Sequence, residues 1–321
     1  MTAETTSDLW SFRAQARVVR TSGPFARHFV RHAARQPYRR GLPVHGETSG
    51  IRVKARIRAA LYDAVINLFL DGYTELAGHP LRRETGPLMI RLNRLISAFD
   101  DAYERGLTAG GSLRFGAVFA EARVQERLDV LVGFFGQHPE RFAVRDFLMA
   151  RISSQYHRYV KITTAPPASR SFQEDLESAV LDSGGFAECF AHVVAILHGA
   201  RACERTTEQF GHVGILAKLA DDVVDFWDDL AAGRINLLAS LIREHPDEYQ
   251  QLTVTAPQQR RTGIGWWRAT CPASFERFTA LVSEHKAAVL APSLSLACDI
   301  MLVQVRQGAP MLRGAPAGIR V

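Results

Sequence analysis

With 321 residues, 47% hydrophobic and 22% charged, the chain can bury a sizeable core as one large domain or two small ones, and its composition is ordinary for a soluble globular protein. Its net charge of +6 is uneven, with twelve Lys or Arg residues and very few acids between Arg13 and Arg58. No apolar run reaches the roughly 18–20 residues that span a bilayer, and MTAETTSDLW lacks the basic-then-apolar layout of a secretory signal.

Four cysteines (Cys189, Cys203, Cys271, Cys298) have no C-x-x-C spacing, so they read as reduced, mostly buried thiols, and a cytoplasmic location is expected. Aromatics are not interleaved with the basic residues of 1–50, so nucleic acid is not an expected partner. A solvated basic extension is the simpler reading, and peripheral contact with an anionic membrane through it stays open.

From residue 51 the chain reads as helices. No proline interrupts 44–79, 88–138, 140–165 or 168–245, and a proline inside a helix would remove a hydrogen bond and clash with the preceding turn. Ile57, Leu61, Ala64, Val65 and Leu68 recur at three- and four-residue steps, as do Phe115, Val118, Phe119 and Ala122. Ser171-x-x-Glu174 has the form of a capping box just after the Pro166–Pro167 break. No sustained period-two alternation occurs. The expected fold is all-α, a single helical bundle over 51–300, with a C-terminal tail at 301–321 that is partly disordered.

Two acidic clusters carry the chemistry. Asp100, Asp101 and Glu104 fall within one helical turn. Asp221, Asp222 and Asp225 form a denser group, with Lys218 four residues before Asp222 and an apolar flank of Ile215, Leu216, Leu219, Val223 and Val224. The first cluster alone reads as a solvated acidic stripe, while the apolar flank of the second leaves that reading and a binding role both open. Carboxylates in so apolar a helix need compensation, because burying an unpaired charge is costly. Two such clusters facing one another across a bundle could hold Mg²⁺, a hard cation that prefers oxygen ligands. The ions would in turn bind a polyanion, and a diphosphate on a hydrocarbon tail suits an apolar helical cavity.

On these residues the chain resembles the class I isoprenoid synthases, the trans-prenyl diphosphate synthases and related terpene synthases. Asp100-Asp101-x-x-Glu104 is similar to their first aspartate-rich motif. The stretch from Gly214 to Phe226, with Asp221-Asp222-x-x-Asp225 and a trailing Gly233-Arg234, is similar to the second. Gln155-x-x-Arg158 stands where a prenyl synthase has Gln-x-x-Asp, and Leu181-Asp182-Ser183-Gly184 stands where it has a Lys-Thr-Gly helix break. The resemblance covers about residues 90–240. It implies a bundle with a central apolar cavity and Mg²⁺ held by Asp100, Asp101, Glu104, Asp221, Asp222 and Asp225. It also implies a prenyl diphosphate of C15 or C20 held by Arg158, Lys218, Arg234 and Gln155, and Phe99, Phe186 and Phe190 as candidate lining of the cavity.

The departures narrow the expectation. The Gly-Lys-Arg stretch and the arginine pair after the first motif, which bind isopentenyl diphosphate in chain-elongating synthases, are missing here; Asp182 replaces the Lys of Lys-Thr-Gly, and Lys218 replaces a Gln. A terpene synthase that ionises and cyclises one prenyl diphosphate is therefore expected. A prenyltransferase acting on a non-isopentenyl acceptor and a non-catalytic helical binding protein are the alternatives. A homodimer is admitted. No His-x-x-x-His with a nearby acid indicates zinc.

Overall fold

Proline placement sets the helix ends. In the computed structural model, which describes residues 49–108, 117–118, 120–166, 169–255 and 263–307 with scattered positions between 23 and 30, helices open at or just after Pro139, Pro246, Pro272 and Pro292. The side chains of 49–62, 100–101 and 103–108 lie outside the described residues, as do those of a few single positions. The helices are α1 (Ser49–Ala77), α2 (Thr85–Thr108), α3 (Ala122–Phe135), α4 (Arg141–Thr163) and α5 (Phe172–Ala179). A π-helical turn (Val180–Gly184) leads into α6 (Gly185–Leu197). There follow α7 (Glu204–Val224), α8 (Phe226–Ala232), α9 (Leu237–Arg243), α10 (Pro246–Val254), α11 (Ile264–Thr270), α12 (Pro272–Ala288) and α13 (Pro292–Gln307).

No strand occurs among the described residues, so the all-α expectation holds. The capping box at Ser171 and Glu174 is present in both directions. Helix α13 continues past the expected domain boundary at 300. Phe115, Phe119 and the tail after Gln307 lie outside the described residues.

The bundle is organised around α7, which packs on α6, the π turn, α12, α13 and α1. Its sequence explains the position. Buried residues (Phe210, Val213, Ile215, Leu216, Leu219, Val223) occur round most of its circumference, the pattern of a core helix, with Glu204, Arg205, Glu208 and Asp221 its exposed positions. Two glycines let a neighbour come close. A Cβ on Gly214 would fall 2.6 Å from the carbonyl carbon of Ser183 and 2.9 Å from Ala187 Cβ, so main chain meets main chain at this seam. One turn earlier, Gly211 makes room for Glu188.

Helix α5, the π turn and α6 run as one 26-residue rod, Phe172–Leu197. The sequence suggested a helix break at Leu181–Gly184. The structure instead widens the helix by one π turn there and continues it. By length and composition alone this rod could cross a membrane, but 56% of its apolar window is buried inside the bundle, as befits a core helix. It is gripped on one side by α7 and on another by α4, whose Arg151 pairs with Glu188 and whose Gln155 lies against Gly185. Phe190 stacks on Phe210 with ring centroids 5.7 Å apart, and Phe69 meets both edge-on.

Candidate functional site

Helix α7 ends at Val224. Asp225 leaves helical geometry (φ −99°, ψ 11°), and α8 restarts at Phe226 in a new direction. The sequence reading treated 218–229 as one helix, whereas the structure makes it a corner. Gly233, in the left-handed region at φ 67°, closes α8. The chain then returns through Ile235-Asn236-Leu237 and opens α9 with Asn236 as its cap.

The corner is held by buried polar contacts. Lys218 Nζ lies 2.8 Å from Asp222 Oδ1 and donates to Ile235 O at 3.2 Å. The other Asp222 oxygen accepts from Leu237 N–H at 2.7 Å. Asn236 Nδ2 donates to Asp222 O at 2.7 Å and to Asp229 Oδ2 at 2.9 Å, while Asn236 Oδ1 accepts from Ala239 N–H. Arg234 sits 3.0 Å from Asp229 Oδ1. The network continues through Ser240, whose hydroxyl donates to Asp175 and lies 3.0 Å from Asn236 O. Asp175, fully buried, also accepts from Arg170 and Arg243.

The electrostatics follow from this crowding. Burial works against the Lys218 charge, but Asp222, Asp229 and Asp221 overcome it and hold the ammonium protonated well above its ordinary range. Burial pushes the Asp222 carboxyl up against the pull of Lys218, and pushes Asp229 up to about 6. Asp221 differs. Its side chain is exposed, and no described group is hydrogen-bonded to its carboxylate. Even so, protein packed round it, followed by the charges of Asp225, Asp222 and Asp229, raises it to about 7 against Lys218.

The structure thus gathers Lys218, Asp221, Asp222, Asp225 and Arg234 at one corner. No family model, curated protein or solved structure matches this chain.

The first acidic cluster lies on α2, and its three side chains are outside the described residues. The helix itself is placed at both ends. Thr85 at its start contacts His198 at the end of α6, 3.1 Å away, and Phe99 packs in one cluster with Tyr159 of α4. Fifteen residues at about 1.5 Å each carry the backbone from Thr85 back to the level of the π turn. That is also the end of the bundle where α7 reaches Asp221, since Gly211 lies beside Glu188 and Ile215 beside Gly184 in antiparallel register. By helix rise alone, the backbone at 100–104 falls toward the π-turn side of the bundle.

The remaining predicted residues scatter. Arg158 is exposed and paired with Glu177 on the α4 side of the rod. Gln155 touches the helix just after the π turn. Phe99 sits in the small α2–α3 cluster, Phe190 is buried in the main core, and Phe186 is 36% exposed. Cys203 is exposed, and the other three cysteines are buried and free. The sequence reading missed Asp229, Asn236 and Asp175. Asn236 had a legible signal as an N-cap ahead of Leu237-Leu238. Asp175 had none, because nothing local shows that an acid in the first turn of α5 will be buried.

Among the described residues, no group of three or more His, Cys, Asp or Glu side chains could hold a metal ion. The donor chemistry still suits a hard cation. Asp221 and Asp225 carry oxygen ligands, and a cation beside them would favour the Asp221 charge that desolvation first, and the neighbouring carboxylates second, disfavour. Asp222 and Asp229 are committed to Lys218, Leu237, Asn236 and Arg234.

Proposed function

We propose that this chain is a Mg²⁺-dependent class I terpene synthase that ionises, and then cyclises, a C15 or C20 prenyl diphosphate. The observation that carries the reading is Asp221. An acid raised to about 7 in an exposed position, beside Asp225, is a carboxylate that a bound cation would stabilise. By helix rise, the α2 backbone bearing Asp100, Asp101 and Glu104 falls toward the π-turn side of the bundle, which supports a shared metal site. Asp221 and Asp225 would hold the metal from α7, and Asp100 and Glu104 from α2. Bound there, Mg²⁺ would supply Lewis-acid neutralisation of the departing diphosphate.

The chain's own residues do the rest. Lys218 and Arg234 lie at the corner, but their charges are turned toward Asp222 and Asp229, so their pull on a diphosphate acts through the net charge of the site rather than by direct contact. The apolar helices beside the corner would keep water from a carbocation.

The test is incubation with C10, C15 and C20 prenyl diphosphates and MgCl₂, reading released diphosphate together with hydrocarbon and alcohol products. Wild type should turn over one of them, and Asp221→Asn should lose most of that turnover. No Mg²⁺-dependent diphosphate release from any substrate would refute the reading. A prenylated acceptor in place of a cyclic product would favour the transferase alternative. A second reading has its own support. The inward contacts of Lys218, Asp222, Asp229 and Arg234 are explained by structure alone, as a non-catalytic helical scaffold would require. Under it, Asp221→Asn changes stability and nothing else.

A further inference from the structure

We infer that His212 on α7 and His285 on α12 form a proton-sensitive latch, closed while one hydrogen bridges the facing ring nitrogens and released when both of those nitrogens carry one. The latch lies away from the acidic corner and does not depend on it.

The two Nδ1 atoms are 2.7 Å apart, with ring centroids 5.0 Å apart and planes tilted by 50°. At that distance one nitrogen donates and the other accepts, so a single hydrogen lies between them. The neutral pair meets this need when one ring carries its proton on Nδ1 and the other on Nε2. A further proton can settle on the outer Nε2 of the donating ring and leave the bridge in place. The next must go to the accepting Nδ1, which turns two N–H groups on each other and sets two imidazolium charges in contact. His285 is 9% exposed, and burial first, then His212, lowers its pKa from the ordinary 6.5 against the pull of Glu284. Further round the two helices, Lys286 pairs with Asp299 of α13, Glu188 of α6 with Arg151, and Arg277 with Glu244, while Glu75 of α1 accepts from Ser293. On α7 itself, Glu204, Arg205 and Glu208 are exposed.

The seam can part locally. Val282 and Phe278, one and two turns before His285, are completely buried in the main core and keep that part of α12 docked. Past the latch the hold is polar, with Gln209 Oε1 accepting from Leu290 N–H at 2.8 Å and Ala291 N–H at 3.0 Å. Gln209 Nε2 is buried and has no hydrogen-bond partner among the described residues. Water entering an opened seam would satisfy this donor, which lowers the cost of opening. The parted seam takes up protons near 6.5 that the closed seam refuses, so the latch is fully closed above that value and is lost as pH falls below it.

The experiment is amide hydrogen exchange of the full chain by mass spectrometry, at about pH 7.5 and about pH 5, corrected for intrinsic exchange. EDTA in both buffers removes any metal that two imidazoles could share. In wild type, amides of 286–291 should lose about tenfold or more of their protection at the acid pH, while those of 187–197 in α6 keep theirs. His212→Asn and His285→Asn each replace a ring nitrogen by an amide that donates or accepts at either pH, so 286–291 should stay protected at both. His192→Asn, which removes a half-buried histidine packed on Phe147, should open like wild type. Equal wild-type protection of 286–291 at the two pH values would overturn the inference. So would asparagine variants that open as far as wild type, or a loss of protection that extends through α6, which is acid unfolding and not a latch. Failure of both asparagine variants to fold at neutral pH would overturn it as well, because the pair would then belong to the fold at every pH.

Discussion

Replacing Gly214 by alanine tests the central seam of the bundle. The new Cβ would stand 2.6 Å from the Ser183 carbonyl carbon, nearer still to its oxygen, and 2.9 Å from Ala187 Cβ, where real Cβ atoms keep 3.0 Å or more. Two of these three obstacles are main-chain atoms, so no rotamer relieves them. The π turn and α7 must separate by about 1 Å, a gap that forfeits a quarter to a half of each dispersion contact across it. Overpacking of this kind costs about 1–3 kcal/mol, and a rigid backbone obstacle belongs at the top of that range. Alanine recovers about 1 kcal/mol of helix propensity. The expected net loss is about 2 kcal/mol.

Gly211→Ala is the internal control, one turn away on the same helix. Its Cβ would meet the Glu188 carboxylate at 2.9 Å, the far end of a flexible side chain that can swing aside. The partly exposed Arg151–Glu188 pair it disturbs is worth about 0–1 kcal/mol, which the propensity gain offsets. Gly211→Ala should therefore be within about 0.5 kcal/mol of wild type. Urea denaturation followed by circular dichroism measures both variants. Equal losses at the two positions, or a Gly214→Ala as stable as wild type, would refute the reasoning.

Two further outcomes follow from the corner. Lys218→Met leaves Asp222, which is completely buried, without its counter-charge, so it should cost about 3–5 kcal/mol in urea denaturation; Lys218→Met with Asp222→Asn should recover part of this, and a single variant as stable as wild type would contradict the buried pair. Asp221 has its folded pKa raised from 3.8 to about 7, so the folded state keeps a proton that the unfolded chain has released. The contribution of Asp221 to stability is thus fully present below about pH 4 and is lost as pH rises through about 7. Asp221→Asn should melt with wild type near pH 4 and above it at pH 8, and Mg²⁺ should raise the wild-type melting temperature more at pH 8 than at pH 5. A wild-type-to-variant difference that is constant from pH 4 to pH 8 would rule this out.

What could be read in advance was what local pattern determines. Proline spacing gave the helices, and Ser171-x-x-Glu174 gave a helix start, because both are contacts within a few residues. The (i, i+4) pair of Lys218 and Asp222 was legible for the same reason. The corner at Asp225 was not. Asn236, seven residues beyond Asp229, bridges Asp222 and Asp229 across it, a contact that local propensity does not show. Nor could the sequence tell which aspartates of the second cluster face inward, since that depends on where Ile235–Leu237 crosses behind α7. The break expected at Leu181–Gly184 came from the resemblance alone, and the structure has a π turn at Val180–Gly184 in its place. The seam with Gly214 holds Ser183 and Gly184 in helical form.

The corner sorts its charges by what they touch. Lys218, Asp222, Asp229 and Arg234 satisfy one another and the main chain around Asn236, and the requirement that buried polar groups be paired accounts for them. It does not account for Asp221. Were the corner only structural, asparagine at 221 would serve the fold better at neutral pH, since it carries no charge to be disfavoured by desolvation first and by Asp225, Asp222 and Asp229 second. A fold that is locally consistent elsewhere and keeps one unfavourable carboxylate at an exposed position has placed its strain where function is expected. Under the proposed function a bound cation would offset the cost of Asp221, and binding to the folded chain alone would then stabilise it.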